Sequence, residues 1–215
     1  MSALVPNRLM FHFEMPLRYR ESPTIDGDLS DWSASHVLPD LTDLDNAKSF
    51  ATFYAGWNET GLFVACAVTG RKTPFQCDAK QFWKGDNLRV MTDMRDTRDN
   101  RRASRYCQHF FFMPAGGLDD VALGGGHKIQ RATEQAPIAR MGTLPTASQR
   151  KDKSYTIEAH IPAEALAGFD PNEHKRIGLY VMLEDTELGQ QYLTVGDDLN
   201  WYVDPSTWVT AELKK

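Results

Sequence analysis

Short runs dominate this chain, either alternating between apolar and polar residues or apolar throughout, and a period of two is the mark of β-strands. From Ser49 to Trp57 the alternation runs around Phe50, Thr52 and Tyr54. Asn58-Glu59-Thr60-Gly61 then supplies a turn, and Leu62 to Val68 is apolar on both faces. That succession predicts a hairpin whose second strand lies centrally in its sheet. Asn87–Thr92, Cys107–Met113, Ser154–Ile161, Ile177–Glu184 and about Trp208 to Leu213 are further strand candidates. Helical signals are scarce. Pro162-Ala163-Glu164-Ala165-Leu166, with proline in a first-turn position and Gly168 to stop it, predicts one short helix of at most two turns. Many short strands punctuated by Gly, Pro and Asp argue for an all-β sandwich over an α/β fold.

The stretch from Pro114 to Arg150 fits this pattern least. It contains Gly116-Gly117 and Gly124-Gly125-Gly126 among scattered basic residues. A weak strand pair around His127–Ala132 and Ile138–Gly142 is the most structure it predicts, and the triple glycine reads as a flexible turn. At 215 residues the whole chain suits one β-sandwich domain of residues 1–215, with no linker or internal repeat in evidence.

Composition narrows the function classes. Hydrophobic residues make up 41% and charged residues 25%, ordinary values for a globular protein, and the net charge is −5. An acidic balance argues against a nucleic-acid partner, which needs a concentrated basic surface. One local exception is the run of Arg95, Arg98, Arg101, Arg102 and Arg105, interleaved with Asp96 and Asp99, which reads as a solvated, partly self-neutralised loop. No run approaches the roughly 20 apolar residues of a membrane helix. Met1 to Met10 lacks the charged start and unbroken apolar stretch of a secretory signal, so the sequence as written reads as soluble and cytoplasmic. Cys66, Cys77 and Cys107 form neither a disulfide framework nor a zinc motif. His12, His36, His109, His127, His160 and His174 are dispersed and show no metalloprotease spacing. Asp26, Asp28 and Asp31 crowd short carboxylates around Gly27; such oxygen-rich turns suit structural calcium, and Asp and Gly equally make turns.

Four segments, in order, resemble the family 9 carbohydrate-binding modules. Pro23-Thr24-Ile25-Asp26-Gly27-Asp28-Leu29-Ser30-Asp31-Trp32 is similar to that family's opening Ile-Asp-Gly to Asp-Trp signature. Gly56-Trp57-Asn58-Glu59-Thr60-Gly61-Leu62-Phe63-Val64-Ala65 is similar to its Trp-Asp/Asn hairpin. Phe82-Trp83-Lys84-Gly85-Asp86-Asn87-Leu88-Arg89-Val90 resembles its Trp-x-x-Asp strand entry, and Tyr155-Thr156-Ile157-Glu158-Ala159-His160-Ile161-Pro162 its Tyr-x-x-Glu-x-x-Ile-Pro strand. The resemblance implies an immunoglobulin-like or jelly-roll antiparallel β-sandwich of the DOMON-like kind. It also implies a sugar held between two aromatic rings, structural calcium in some members, and polar groups on the sugar hydroxyls. Trp83 matches the first stacking tryptophan; Trp201, with Tyr202 as the alternative, is the choice for the second. Asn87, Arg89, Glu184 and Asp185 are the candidate hydroxyl partners. Arg89 stands where the family often carries an acidic residue, and would equally suit an acidic ligand. Trp32, Trp57 and Trp208 read as core, and Glu158 as a strand carboxylate facing solvent or pairing with an arginine.

Three function classes remain open at this point. The first is a non-catalytic carbohydrate-binding domain. The second is an interaction module using the arginine-rich loop. The third is a glycoside-acting enzyme, which needs two carboxylates facing one cleft.

Overall fold

The computed structural model describes residues 13–21 and 23–215. His12 and the Met1–Met10 stretch lie outside the described residues. Among the described residues there are twelve strands: β1 (Glu14–Tyr19), β2 (Ala51–Asn58), β3 (Gly61–Thr69), β4 (Asn87–Asp93), β5 (Cys107–Met113) and β6 (Leu123–His127) come first. They are followed by β7 (Thr146–Ala147), β8 (Arg150–Lys151), β9 (Ser154–Pro162), β10 (Arg176–Asp185), β11 (Gly189–Tyr192) and β12 (Val209–Lys214).

The hydrogen-bonded order is β6-β5-β4-β10-β12-β1-β2-β3-β9-β7, with β11 on β10 and β8 on β9. One end of this path folds over the other, and the main core lies between them. Leu88, Val90, Phe110, Phe112, Val181 and Leu183 come from one side, Phe53, Ala55, Val64, Cys66, Ile157 and Ala159 from the other. The all-β sandwich expected from the sequence is therefore what the chain forms. Its pairing is mixed: β1 runs parallel to both β12 and β2, and the remaining pairs are antiparallel. β1, together with the short β7, β8 and β11, has no counterpart among the sequence expectations.

The predicted hairpin is β2–β3, closed by Glu59 and Thr60, with Asn58 Oδ1 accepting from the Thr60 amide at 2.8 Å. The predicted helix is a correction. Strand β9 runs through Pro162 and Gly168 turns at φ +89°, leaving room only for a single 3₁₀ turn, Ala163–Ala165. So short a segment cannot offset the cost of helix nucleation. Among the described residues there is no α-helix, and none long and apolar enough to cross a membrane.

The triple glycine is also a correction: it forms β6, not a flexible turn. A Cβ on Gly124 would fall 2.5 Å from Thr146 Oγ1 and 2.7 Å from Phe112 Cδ1, so glycine lets β5 aromatics and the 139–142 segment close on this strand. That segment follows β6 through Gly126 N–Ala139 O and Gly142 N–Gly124 O hydrogen bonds without becoming a regular strand.

Both outer faces are covered, which is why several strands read as apolar on both sides. On one, Trp32 packs on Phe63 and Ala65. Glu158, fully buried, pins that covering loop: it accepts from the Trp32 indole at 2.8 Å, from the Asp26 and Gly27 amides at 3.2 and 3.0 Å, and from Arg20 at 3.3 Å. On the other, the segment carrying Val195, Trp201 and Trp208 covers Met91, Tyr180 and Met182.

Candidate functional site

Side chains alternate across a strand, so register decides which of them share a face. Arg89 pairs across with Phe111 and Met182, Met91 with His109, His109 with His127, and Asn87 with Glu184. These residues stand on the outer face of the β10-β4-β5-β6 portion, opposite the main core. The covering segments leave a cavity of about 140 Å³ on this face, lined by Phe82, Trp83, Arg89, His109, His127, Lys128, Gln130 and Tyr202. A larger, more open depression of about 450 Å³, lined by Phe75–Asp78 with Gln81, Lys84 and Gly85, brings together no exposed aromatic ring.

Trp83 reaches the cavity because the residue before it is anchored. Phe82 is buried and stacks on Phe111 at 3.9 Å and 7°, so the 3₁₀ turn Phe82–Lys84 turns the next side chain outward. Gly85 closes that turn against the 76–77 backbone, where a Cβ would lie 2.2 Å from Gln76 O. Trp83 is 45% and Tyr202 42% exposed, and they are the two exposed aromatic side chains among the described residues. His127 flanks Trp83 with ring centres 5.9 Å apart.

Trp201 is placed differently from the sequence expectation. It is 1% exposed, stacked on Tyr180 at 5.0 Å and 17°, and its indole N–H donates to Asp197 at 2.9 Å. Buried on its ring face, it packs the second core, and the neighbouring Tyr202 is the ring that meets the cavity. Trp32, Trp57 and Trp208 are buried as expected.

Asn87 is fully buried. Its amide donates to Phe82 O and Gly85 O, both at 2.8 Å, and its carbonyl accepts from Arg89 Nε at 2.8 Å. It thus holds the Trp83 turn and aims Arg89, with no group left over for a ligand. Arg89 donates Nη2 to Trp83 O at 3.1 Å, and no hydrogen bond between described residues uses its Nη1. Burial lowers its pKa, opposed mainly by Glu184. Glu184 lies 3.8 Å from Arg89 and accepts from Gln190 at 2.7 Å; burial raises its pKa.

Asp185, one residue on, points the opposite way into a different network. It pairs with Arg71 at 2.8 Å and accepts from Tyr155 OH at 2.9 Å, while Arg71 also pairs with the buried Asp86 at 2.9 Å. That is a structural cluster at the other face of β10, and the pleat alone removes Asp185 from the cavity.

The calcium expectation for Asp26, Asp28 and Asp31 fits poorly. Asp26 and Asp28 accept from the Asp28 and Ser30 amides at 2.8 and 3.0 Å, and Asp31 pairs with Arg20 at 2.5 Å. Three carboxylates directed at three separate partners do not converge on an ion. Among the described residues no group of three or more His, Cys, Asp or Glu side chains is arranged to hold a metal.

Sequence reasoning did not select Phe82, His109, His127, Lys128 or Gln130. His109 is 7% exposed, its Nε2 is buried without a partner among the described residues, and burial holds its pKa well below 6.5. Burial, with Lys128 and Arg89 behind it, lowers that of His127 as well. The two rings lie 5.6 Å apart across adjacent strands, and only the β5–β6 register brings them together. The arginine-rich segment is partly structural. Arg95 donates to Gly168 O at 2.6 Å and lies over Tyr106, and Arg98 donates to Thr210 at 2.9 Å, while Arg101, Arg102 and Arg105 are exposed.

A covered β-sandwich with an aromatic-edged cavity on one outer face is the architecture of a ligand-binding module. The chain belongs to the family described as carbohydrate family 9 binding domain-like, whose model matches residues 25–215. Among solved structures, it is similar to a family 9 carbohydrate binding module from Caldicellulosiruptor kristjanssonii in complex with cellotriose, at 16% identity, 94% of each chain covered and a TM-score of 0.65. The glucose complex from the same organism gives 16% identity, 94% and 96% coverage and a TM-score of 0.66. A putative carbohydrate-binding protein from Bacteroides uniformis ATCC 8492 follows at 12% identity, 94% and 99% coverage and 0.57. No curated protein matches the chain.

Proposed function

We propose that this chain is a non-catalytic carbohydrate-binding domain whose sugar occupies the cavity between Trp83 and Tyr202. The observation that carries this is the convergence of the two exposed aromatic side chains on one cavity that also presents Arg89, Gln130, His127 and Lys128. The apolar face of a pyranose stacks on an aromatic ring, and its hydroxyls need hydrogen-bond partners once water is displaced. Family membership and the likeness to family 9 modules in complex with cellotriose and glucose support the same reading. The cavity lining includes no carboxylate, so it offers no acid–base pair for glycoside cleavage.

Titration calorimetry against mono- and oligosaccharides tests the proposal. Saturable heat that disappears in Trp83→Ala, with an unchanged circular dichroism spectrum, is the expected result. Binding that survives that substitution unchanged would move the site elsewhere.

A further inference from the structure

We infer that this cavity prefers a carbohydrate bearing a carboxylate, such as a terminal uronic acid, over a neutral sugar. The inference rests on the sugar-binding reading above and adds the charge of the ligand.

The lining carries two cationic side chains, Arg89 and Lys128, and none of its eight residues carries a carboxylate. Tyr202 already directs its hydroxyl hydrogen to Asn200 at 3.2 Å, and Gln130 supplies the one amide oxygen. The imidazoles, Gln130 and Tyr202 can serve the hydroxyls of any pyranose, whereas Arg89 and Lys128 are matched in charge only by a ligand that carries a carboxylate.

Arg89 makes the case quantitative in kind. Its side chain is 11% exposed, with Nε and Nη2 fixed to Asn87 and Trp83, so the guanidinium is held in place before any ligand arrives. Its carboxylate partner, Glu184, is loose at 3.8 Å and accepts from Gln190 through the same oxygen. Asp197, whose charge also acts on Arg89, accepts from the Trp201 indole and does not line the cavity. A sugar stacked on Trp83 would further exclude water from a cation that burial already disfavours. A ligand carboxylate compensates that loss, and a charge-assisted pair is about twice as strong as a neutral hydrogen bond. His109 lines the same wall, and its Nε2 is buried without a hydrogen-bond partner among the described residues.

The test compares D-glucuronate and D-galacturonate with their uncharged amides and with glucose and galactose, by calorimetry or by ligand-observed NMR if binding is weak. The expected result is at least a tenfold tighter Kd for an acid over its amide (about 1.4 kcal/mol). That gap should narrow in Lys128→Gln and in high salt. Lys128 is exposed, so its replacement leaves the fold intact; Arg89→Gln, which also loosens the Trp83 turn, serves as the second variant and should abolish the gap. Acids and amides binding alike, or the neutral sugars binding tighter, would overturn this inference while leaving carbohydrate binding in place. Heat from neither class would overturn both.

Discussion

Replacing Trp201 with alanine is expected to unfold the protein at lower denaturant, and replacing Trp83 is expected to abolish binding with little effect on stability. Trp201 is 1% exposed and Trp83 45% exposed, so adjacent wall and surface tryptophans of the same region carry different loads. A buried tryptophan hides roughly 200 Å², which at about 25 cal/mol per Å² is worth about 5 kcal/mol. Loss of the stacked contact with Tyr180 adds about 1 kcal/mol. Partial collapse of the cavity brings the measured cost toward about 3–5 kcal/mol, a large part of the 5–15 kcal/mol typical of a domain. Trp83→Ala removes an edge contact with Phe82 and a tilted one with His127, both at the surface, and is expected to cost about 1 kcal/mol or less. Urea titrations of both variants, at unchanged slope, give the comparison directly. A Trp201→Ala protein of native stability that no longer binds sugar would refute the reasoning, because it would make Trp201 a ligand platform after all.

Glu158→Gln keeps the shape but removes the charge that faces buried Arg20, and is expected to destabilise the chain by about 3 kcal/mol, with early proteolysis in the 23–36 loop it pins. Limited proteolysis beside urea titration reads both effects, and unaltered resistance would contradict the anchoring role. Lowering the pH below about 6.5 is expected to reduce stability: the unfolded chain then binds a proton at His109 that the folded chain refuses, at up to about 1.4 kcal/mol per pH unit for each such histidine. His127 and His160 shift the same way, so the urea midpoint should fall between about pH 7.5 and 5.5 and fall less steeply in His109→Gln. Calcium is expected to leave the melting temperature unchanged, whereas a site saturated a hundredfold above its Kd would add about 2.7 kcal/mol; a calcium-dependent rise abolished by Asp26→Asn would reinstate the loop as a metal site.

Much of the fold was legible because strand periodicity is local. β3, β5 and β9 lie within a residue of where the apolar runs place them, since each run is bounded by turn residues. What escaped depends on distant partners. β1 is a strand because β12 and β2 flank it in parallel, and nothing in Glu14–Tyr19 announces that pairing. β6 reads as a glycine-rich turn until Phe111 and Phe112 are known to press on it, because the missing side chains are the room those rings require. The helix signal at Pro162 failed for the opposite reason: local propensity was right in kind, but the strand before it and Gly168 after it left too few residues.

The site divides along the same line. Trp83 and Arg89 could be singled out because each sits beside the turn or strand that aims it. Trp201 and Tyr202 could not be separated, since adjacent loop residues differ in burial only once Tyr180 is opposite one of them. Glu184 and Asp185 follow from the pleat: adjacent strand residues face opposite sides, so a pair chosen together was bound to lose one member. Lys128 and His127 were hidden in a segment with no clear period, yet the register of His127 against His109 brings that segment to the cavity wall. The family resemblance predicts where a sugar would stack. Of the two cations on that wall, Arg89 lies on β4, a strand that periodicity predicts, whereas Lys128 follows β6 in the least regular stretch of the chain, so the wall's charge was only half legible from the sequence.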